Sequence, residues 1–209
     1  MRRETALKPR KLPRQGRSCA TVEAILQAAA QVFSQYGYAE GTTDKVAARA
    51  GVSIGSLYQY FPNKDSLLVA LARKHMEEGF GVLGSLLKEE CANPRGLREM
   101  IQRFVDAIVL LHERAPTLHR VMFNEAPLPP GFLEEKETRE QLFSDQLLSV
   151  LIKYPEVQVN KPSNASYMVV QVAEGMIHSF ILFPPEKITV EEMIKELVDM
   201  LYLYLTSAK

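Results

Sequence analysis

Thr42-Thr43-Asp44-Lys45-Val46-Ala47-Ala48-Arg49-Ala50-Gly51-Val52-Ser53-Ile54-Gly55-Ser56-Leu57-Tyr58-Gln59-Tyr60-Phe61 is the stretch whose reading decides the fold. Thr42 and Thr43 offer N-caps for a short helix through Ala50, and Gly51 closes it. Ser53 then caps a second short helix to about Tyr60, and Pro62 breaks that one. Two helices meeting near a right angle need a small residue where they touch, which Ala47 supplies. The turn between them needs a residue that tolerates positive φ, and Gly51 stands four positions later. Val46, Ala50, Val52 and Leu57 are left to pack the corner against whatever precedes it. The reading is a helix-turn-helix over roughly residues 43–61.

What points outward from the second helix suggests what the corner meets. Gly55 and Ser56 carry almost no side-chain bulk, so this helix can enter a DNA major groove closely. Ser56 and Gln59 offer hydrogen bonds to base edges, and Gln suits adenine. Tyr58, Tyr60 and Lys64 are placed for phosphates, while Thr43 presents a hydroxyl at a helix start. Tyr58 and Tyr60 also fit a reading as core aromatics of a small bundle.

Working outward, Val22, Ile25, Leu26, Ala29, Val32, Phe33 and Tyr36 follow the helical rhythm and end at Gly37. Before them, residues 1–18 hold seven Lys/Arg (Arg17 the last) against the single Glu4, among Pro9, Pro13 and Gly16. This reads as a flexible basic arm, either a solvated tail or a strand of charge lying on phosphates or in the minor groove. Net charge is zero over the whole chain, yet residues 1–66 carry ten Lys/Arg against five Asp/Glu and the remainder fifteen against twenty. A basic front and an acidic back fit a nucleic-acid module joined to something else.

Downstream every segment reads as helix. Asn63 caps a long one running toward Leu87, Pro94 opens another with Leu97, Met100, Ile101, Phe104, Ile108 and Leu111 inward, and Pro116 starts a short one. A further helix spans about Phe132 to Tyr154. Residues 163–183 are apolar nearly all round, and Thr189 with Glu192 forms a capping box for the last helix. The fold class is all-α with about nine helices: a three-helix helix-turn-helix domain at 19–65, then a helical body at 66–209 entered by a long helix. Tyr167–Phe183 reads as too short and too polar for a membrane span. Cys19 and Cys91 lack disulfide or zinc spacing, which agrees with a cytoplasmic protein. His75, His112, His119 and His178 show no metal-ligand spacing, no cofactor is implied, and no Ser/His/Asp arrangement or phosphate loop suggests an enzyme.

Residues from about Arg17 to Met76 resemble the N-terminal domain of TetR-family regulators. The resemblance rests on Tyr36-Gly37-Tyr38, Thr42-Thr43, Val46-Ala47, Ala50-Gly51-Val52-Ser53, Gly55-Ser56-Leu57-Tyr58-Gln59-Tyr60-Phe61 and Asn63-Lys64. It implies that Thr43, Tyr58 and Lys64 touch phosphates, with Ser53, Gly55, Ser56 and Gln59 nearest the bases. Ile54 departs from a polar reader at its position, where contact with a thymine methyl is the alternative to a hydrogen bond with a base.

The resemblance further implies a homodimer through a four-helix bundle, matching the helices near 163–183 and 189–206, and a palindromic double-stranded DNA operator. It also implies a small-molecule pocket in the body. Apolar faces bearing isolated polar groups nominate Phe104, Ile108, His112, Met122, Phe123, Phe143, Met168 and Gln171 as its lining, all of which also fit ordinary core packing. The leading expectation is a transcriptional repressor released by a small lipophilic effector. A DNA-binding regulator controlled by a protein partner, or lacking an effector, is the alternative.

Overall fold

A computed structural model describes residues 16–126 and 128–207; the first fifteen residues of the expected basic arm lie outside them. The described residues form nine α-helices and no strand: α1 (Gly16–Glu40), α2 (Thr43–Ala50), α3 (Ile54–Tyr60), α4 (Lys64–Ala92), α5 (Leu97–Glu113), α6 (Pro116–Arg120), α7 (Pro130–Leu151), α8 (Pro162–Leu182) and α9 (Val190–Thr206). A single π-helical turn, Val121–Glu125, follows α6 directly. The described residues divide into two compact units, those up to 76 with those in 117–134, and 77–116 with those from 135 on. α6 and the π-turn fall in the first unit with the helix-turn-helix.

In the first unit, α1 buries Ile25, Ala28, Ala29, Val32 and Phe33 along one face. The first of its two helical stretches stops at Gly37, as expected of a glycine there. The backbone kinks there (φ 70°, ψ −179°) and helix resumes to Glu40. Beyond the kink, the Tyr38 N–H donates to the Glu125 carboxylate at 3.2 Å, and Glu125 lies 3.3 Å from the Arg120 guanidinium. The π-turn therefore holds the end of α1, an arrangement that no local sequence rule anticipates.

The corner follows the sequence closely. The Thr42 hydroxyl accepts from Lys45 N–H at 3.3 Å, and Gly51 takes the left-handed conformation (φ 67°, ψ 29°). Gly51 and Val52 N–H groups close on the carbonyls of Ala48 and Ala47 at 3.3 and 3.1 Å. Val46, Ala47 and Leu57 are buried, while Ala50 and Val52 are half-buried. The Asn63 carboxamide accepts from Ser66 N–H at 2.8 Å and starts α4.

The second unit is built on α5, which packs on α8 and α9 through Leu97, Met100, Ile101, Val105, Ile108 and Val109. The capping box of α9 is formed on both sides: Thr189 Oγ1 accepts from Glu192 N–H at 3.2 Å, and Glu192 from Thr189 N–H at 2.8 Å. α8 has the length expected from sequence and extends N-terminally beyond the Tyr167–Phe183 stretch. At 21 residues with a mean hydropathy of 1.2, it is long and apolar enough to cross a membrane by length and composition. Its Ala165, Val169, Ala173, Ile177 and Phe180 are nonetheless core residues of this unit.

Two buried ionisable groups shape the second unit. Glu90, near the end of α4, accepts hydrogen bonds from the Tyr154 hydroxyl and from Arg95 N–H at 2.7 Å, with the Arg103 guanidinium 3.8 Å away. Burial and the adjacent carboxylate push the Tyr154 phenol well above its ordinary range. His112 on α5 shares its Nδ1 with the Ile108 carbonyl at 2.9 Å and faces Glu174 of α8 at 3.7 Å. Burial works against the charged ring, but the Glu174 carboxylate outweighs it and raises the His112 pKa. His178, whose ring centroid is 5.9 Å from that of His112, is lowered by burial.

Two outcomes follow from these positions. A Cβ at Gly51 would meet nothing within 4 Å, so Gly51→Ala pays only the left-handed backbone, about 1–2 kcal/mol in a urea titration, and Gly51→Asn should recover much of it. A His with a raised folded pKa stabilises fully below its unfolded value and loses that contribution as pH climbs through the folded one. The melting temperature of Glu174→Gln should thus fall less than the wild type's between about pH 6 and pH 8. Equal slopes would show that the His112–Glu174 pair is not coupled to folding.

Candidate nucleic-acid interface and apolar cavity

α3 presents a compact polar face. Its N-cap Ser53 accepts from Ser56 N–H at 3.1 Å, and the two serine hydroxyls lie 2.9 Å apart. Leu57 points into the core with no exposure, which turns Ile54, Gly55, Tyr58 and Gln59 to the surface. Ser56 and Tyr60 are half-buried. Gly55 leaves open space, since a Cβ there would meet only Ser53 Oγ at 3.9 Å.

The residues expected to flank the bases are brought together. Thr43 Oγ1 and the Tyr58 hydroxyl are 3.0 Å apart, so two expected phosphate contacts from α2 and α3 form one hydroxyl pair. Lys64 is less free than the sequence suggested. Its ammonium donates to the carbonyls of Tyr38 at 2.6 Å and Ala39 at 3.2 Å, and it stands 4.2 Å from the centroid of the Tyr38 ring. The Tyr38 hydroxyl in turn bonds the Asp65 carboxylate. This ties the start of α4 to the end of α1 while leaving a third ammonium proton for a phosphate. Arg17 lies within α1, with its side chain outside the described residues.

Two exposed cations were missed by the sequence reading. Lys45 donates to the Glu40 carbonyl at 2.9 Å and covers the Tyr36 ring at 4.1 Å, and Arg49 reaches Gln35 at 2.9 Å. Both belong to α2, and the signal available was simply two cations four residues apart on one helix face.

Within the second unit, α5, α7, α8 and α9 line a partly open apolar cavity of about 40 Å³. Of the eight nominated pocket residues, Phe104, Ile108 and Phe143 line it, together with Leu147, Val169, Ala173 and Leu201 among others. The remaining five do not. His112 engages Ile108 and Glu174, and Gln171 donates to Glu140 at 3.0 Å. Met168 is 46% exposed on α8. Met122 and Phe123 belong to the first unit, where Phe123 stacks beside His119 with centroids 4.6 Å apart. No polar side chain lines the cavity.

Comparison with known proteins agrees with this geometry at both ends of the chain. Residues 25–71 match the family model for bacterial regulatory proteins of the tetR family, and residues 96–205 match that for the tetracyclin repressor-like C-terminal domain. Among curated proteins, the HTH-type transcriptional activator FasR of Mycolicibacterium smegmatis is 34% identical over 84 residues, covering 40% of this chain and 38% of that one. The Fatty acid metabolism regulator protein of Bacillus subtilis is 29% identical over 91 residues, 44% of this chain and 47% of that one. The HTH-type transcriptional regulator RutR of Escherichia coli is 34% identical over 83 residues, 40% and 39% of the two chains. The chain thus spans less than half the length of these relatives. Among solved structures, a TetR/AcrR-family regulator of Thermobifida fusca superposes with a TM-score of 0.68 at 18% identity, covering 87% of this chain and 96% of its own. A TetR regulator of Haloarcula marismortui gives 0.67 at 16% identity, covering 88% and 96%. With family models covering both the helix-turn-helix and most of the helical body, the chain belongs to the TetR family of bacterial regulatory proteins.

Proposed function

We propose that this DNA-binding regulator is a dimeric transcriptional repressor of a palindromic operator, released when an apolar small molecule enters the second unit. The observation that carries the DNA half is the outward face of α3, where Gln59 stands exposed beside Gly55 and the Thr43–Tyr58 hydroxyl pair. In this reading Gln59 and Ser56 meet base edges, and Thr43, Tyr58, Tyr60 and Lys64 hold phosphates. Lys45 and Arg49 add to the phosphate contacts. Family membership also speaks for a cytoplasmic regulator rather than an enzyme.

Dimerisation is supported by what the single chain leaves uncovered. Tyr167, Met168 and Met176 on α8 and Met200 and Leu203 on α9 are each at least 40% exposed. Apolar side chains gathered on two neighbouring helices mark an interaction surface. A second copy laying its own α8 and α9 there would complete a four-helix bundle and set two α3 helices at a fixed spacing, near one DNA turn of about 34–36 Å.

The cavity supports a lipophilic effector without polar anchors, and the Bacillus subtilis relative is by name a regulator of fatty acid metabolism. A drug-sized ligand needs about 300 Å³ or more, so accommodating one has to spread α5, α7, α8 and α9. That requirement makes binding and shape change one event. The same small volume favours the second reading, a regulator with no small-molecule effector, and a panel of straight-chain fatty acids separates the two.

Selection of bound sequences from random DNA by the purified dimer should return a palindrome. On that operator Tyr58→Ala should weaken binding to all sequences alike, while Gln59→Ala should cost about 1–3 kcal/mol and relax preference at one base pair of each half-site. Loss of affinity without change of preference in both would remove Gln59 from the readers. If an effector acts through the cavity, Ala173→Val should preserve operator binding and abolish release by fatty acids; release unaltered by the added methyls would place the effector elsewhere.

A further inference from the structure

The exposed face of α3 contains one residue that hydrogen bonding cannot use. Ile54 opens the helix and is 37% exposed, although a β-branched apolar side chain gains nothing from water there. Its neighbours are differently employed. The hydroxyls of Ser53 and Ser56 are satisfied by each other and by the Ser56 N–H, Thr43 and Tyr58 pair their hydroxyls, and Gly55 has no side chain. Gly55, next in sequence, adds no side chain to this exposed turn, and a Cβ there would meet only Ser53 Oγ at 3.9 Å.

First-turn residues of the second helix in a helix-turn-helix meet base edges. In the major groove those edges present donors, acceptors and one apolar group, the C5-methyl of thymine. Set against any donor or acceptor, Ile54 would strip water from it and return no hydrogen bond. Set against a methyl, it buries apolar surface on both sides. Its χ1 is already restricted within a helix, so little side-chain freedom is lost on contact.

The geometry points to Ile54 as a specificity-determining residue that reads a thymine methyl in each half-site of the operator. This rests on the assignment of α3 as the base-reading helix. It adds to that assignment a base identity that neither Gln59 nor the serines supply. Because the contact is a methyl and not a hydrogen bond, it discriminates thymine from uracil, which differ in that group alone.

The experiment uses the operator recovered by selection, with each thymine replaced in turn by deoxyuridine at symmetric positions of both half-sites. Binding by the wild-type dimer should fall at one such pair of positions by about 4-fold per half-site, roughly 15-fold for the full palindrome. Ile54→Ala should bind the thymine and uracil operators equally at that position, and Ile54→Val should lie between. The dependence of binding on salt should be the same in all three proteins, since no phosphate contact is altered. Indifference of the wild type to uracil at every position overturns the inference while leaving base reading by α3 intact. So does a uracil effect that persists unchanged in Ile54→Ala. Failure to recover any preferred sequence overturns base reading itself, and this inference with it.

Discussion

A left-handed residue between two short helices governs how α3 is displayed. Gly51 at φ 67° turns the chain so that its own N–H and that of Val52 satisfy the last carbonyls of α2, and it delivers Ser53 in extended conformation to cap α3. With Ala47 small enough for close approach, Leu57 reaches the core and Tyr58 and Gln59 are forced outward. Helix periodicity converts one backbone angle into the identity of the exposed residues. The Thr43–Tyr58 pair exists because the turn brings the start of α2 beside the middle of α3.

A second constraint acts on the other side of the same unit. The kink at Gly37 frees the Tyr38 N–H, and the carboxylate of Glu125, 87 residues later, takes it. From Tyr38 the connection continues through the carbonyl bonded by Lys64 and the hydroxyl bonded by Asp65. The π-turn Val121–Glu125 is thereby linked by hydrogen bonds to the first residues of α4. Chain that lies between α5 and α7 in sequence thus participates in holding a lysine assigned to phosphate.

Features governed by local rules were legible in the sequence. The caps at Thr42, Ser53, Asn63 and Thr189 and the glycine at 51 depend on residues no more than four positions apart, and all form as read. What depended on distant partners was not legible. Gly37 breaks the helix as read, but the short helical stretch after it, whose Tyr38 N–H is taken by the remote Glu125 carboxylate, has no local signal. The π-turn has no composition of its own. The pocket was legible only in part, because apolar periodicity names a face without saying which neighbour covers it. Phe104, Ile108 and Phe143 share a cavity, while Met168, on a helix apolar nearly all round, turns to the outside. His112 and Gln171 were legible as polar groups on apolar faces, but not their partners, Glu174 of α8 and Glu140 of α7.

The void between α5, α7, α8 and α9 has a consequence for the mechanics of the second unit. No polar side chain lines it, so water gains no hydrogen bond from its walls. Loosely packed volume of this kind is what hydrostatic pressure works to eliminate. Compression and an apolar guest therefore act on the same helices with opposite sign, one drawing them together and the other wedging them apart. Through that shared coordinate, the packing of four helices becomes a mechanical variable that depth or a dissolved inert gas such as xenon can address without any chemical recognition.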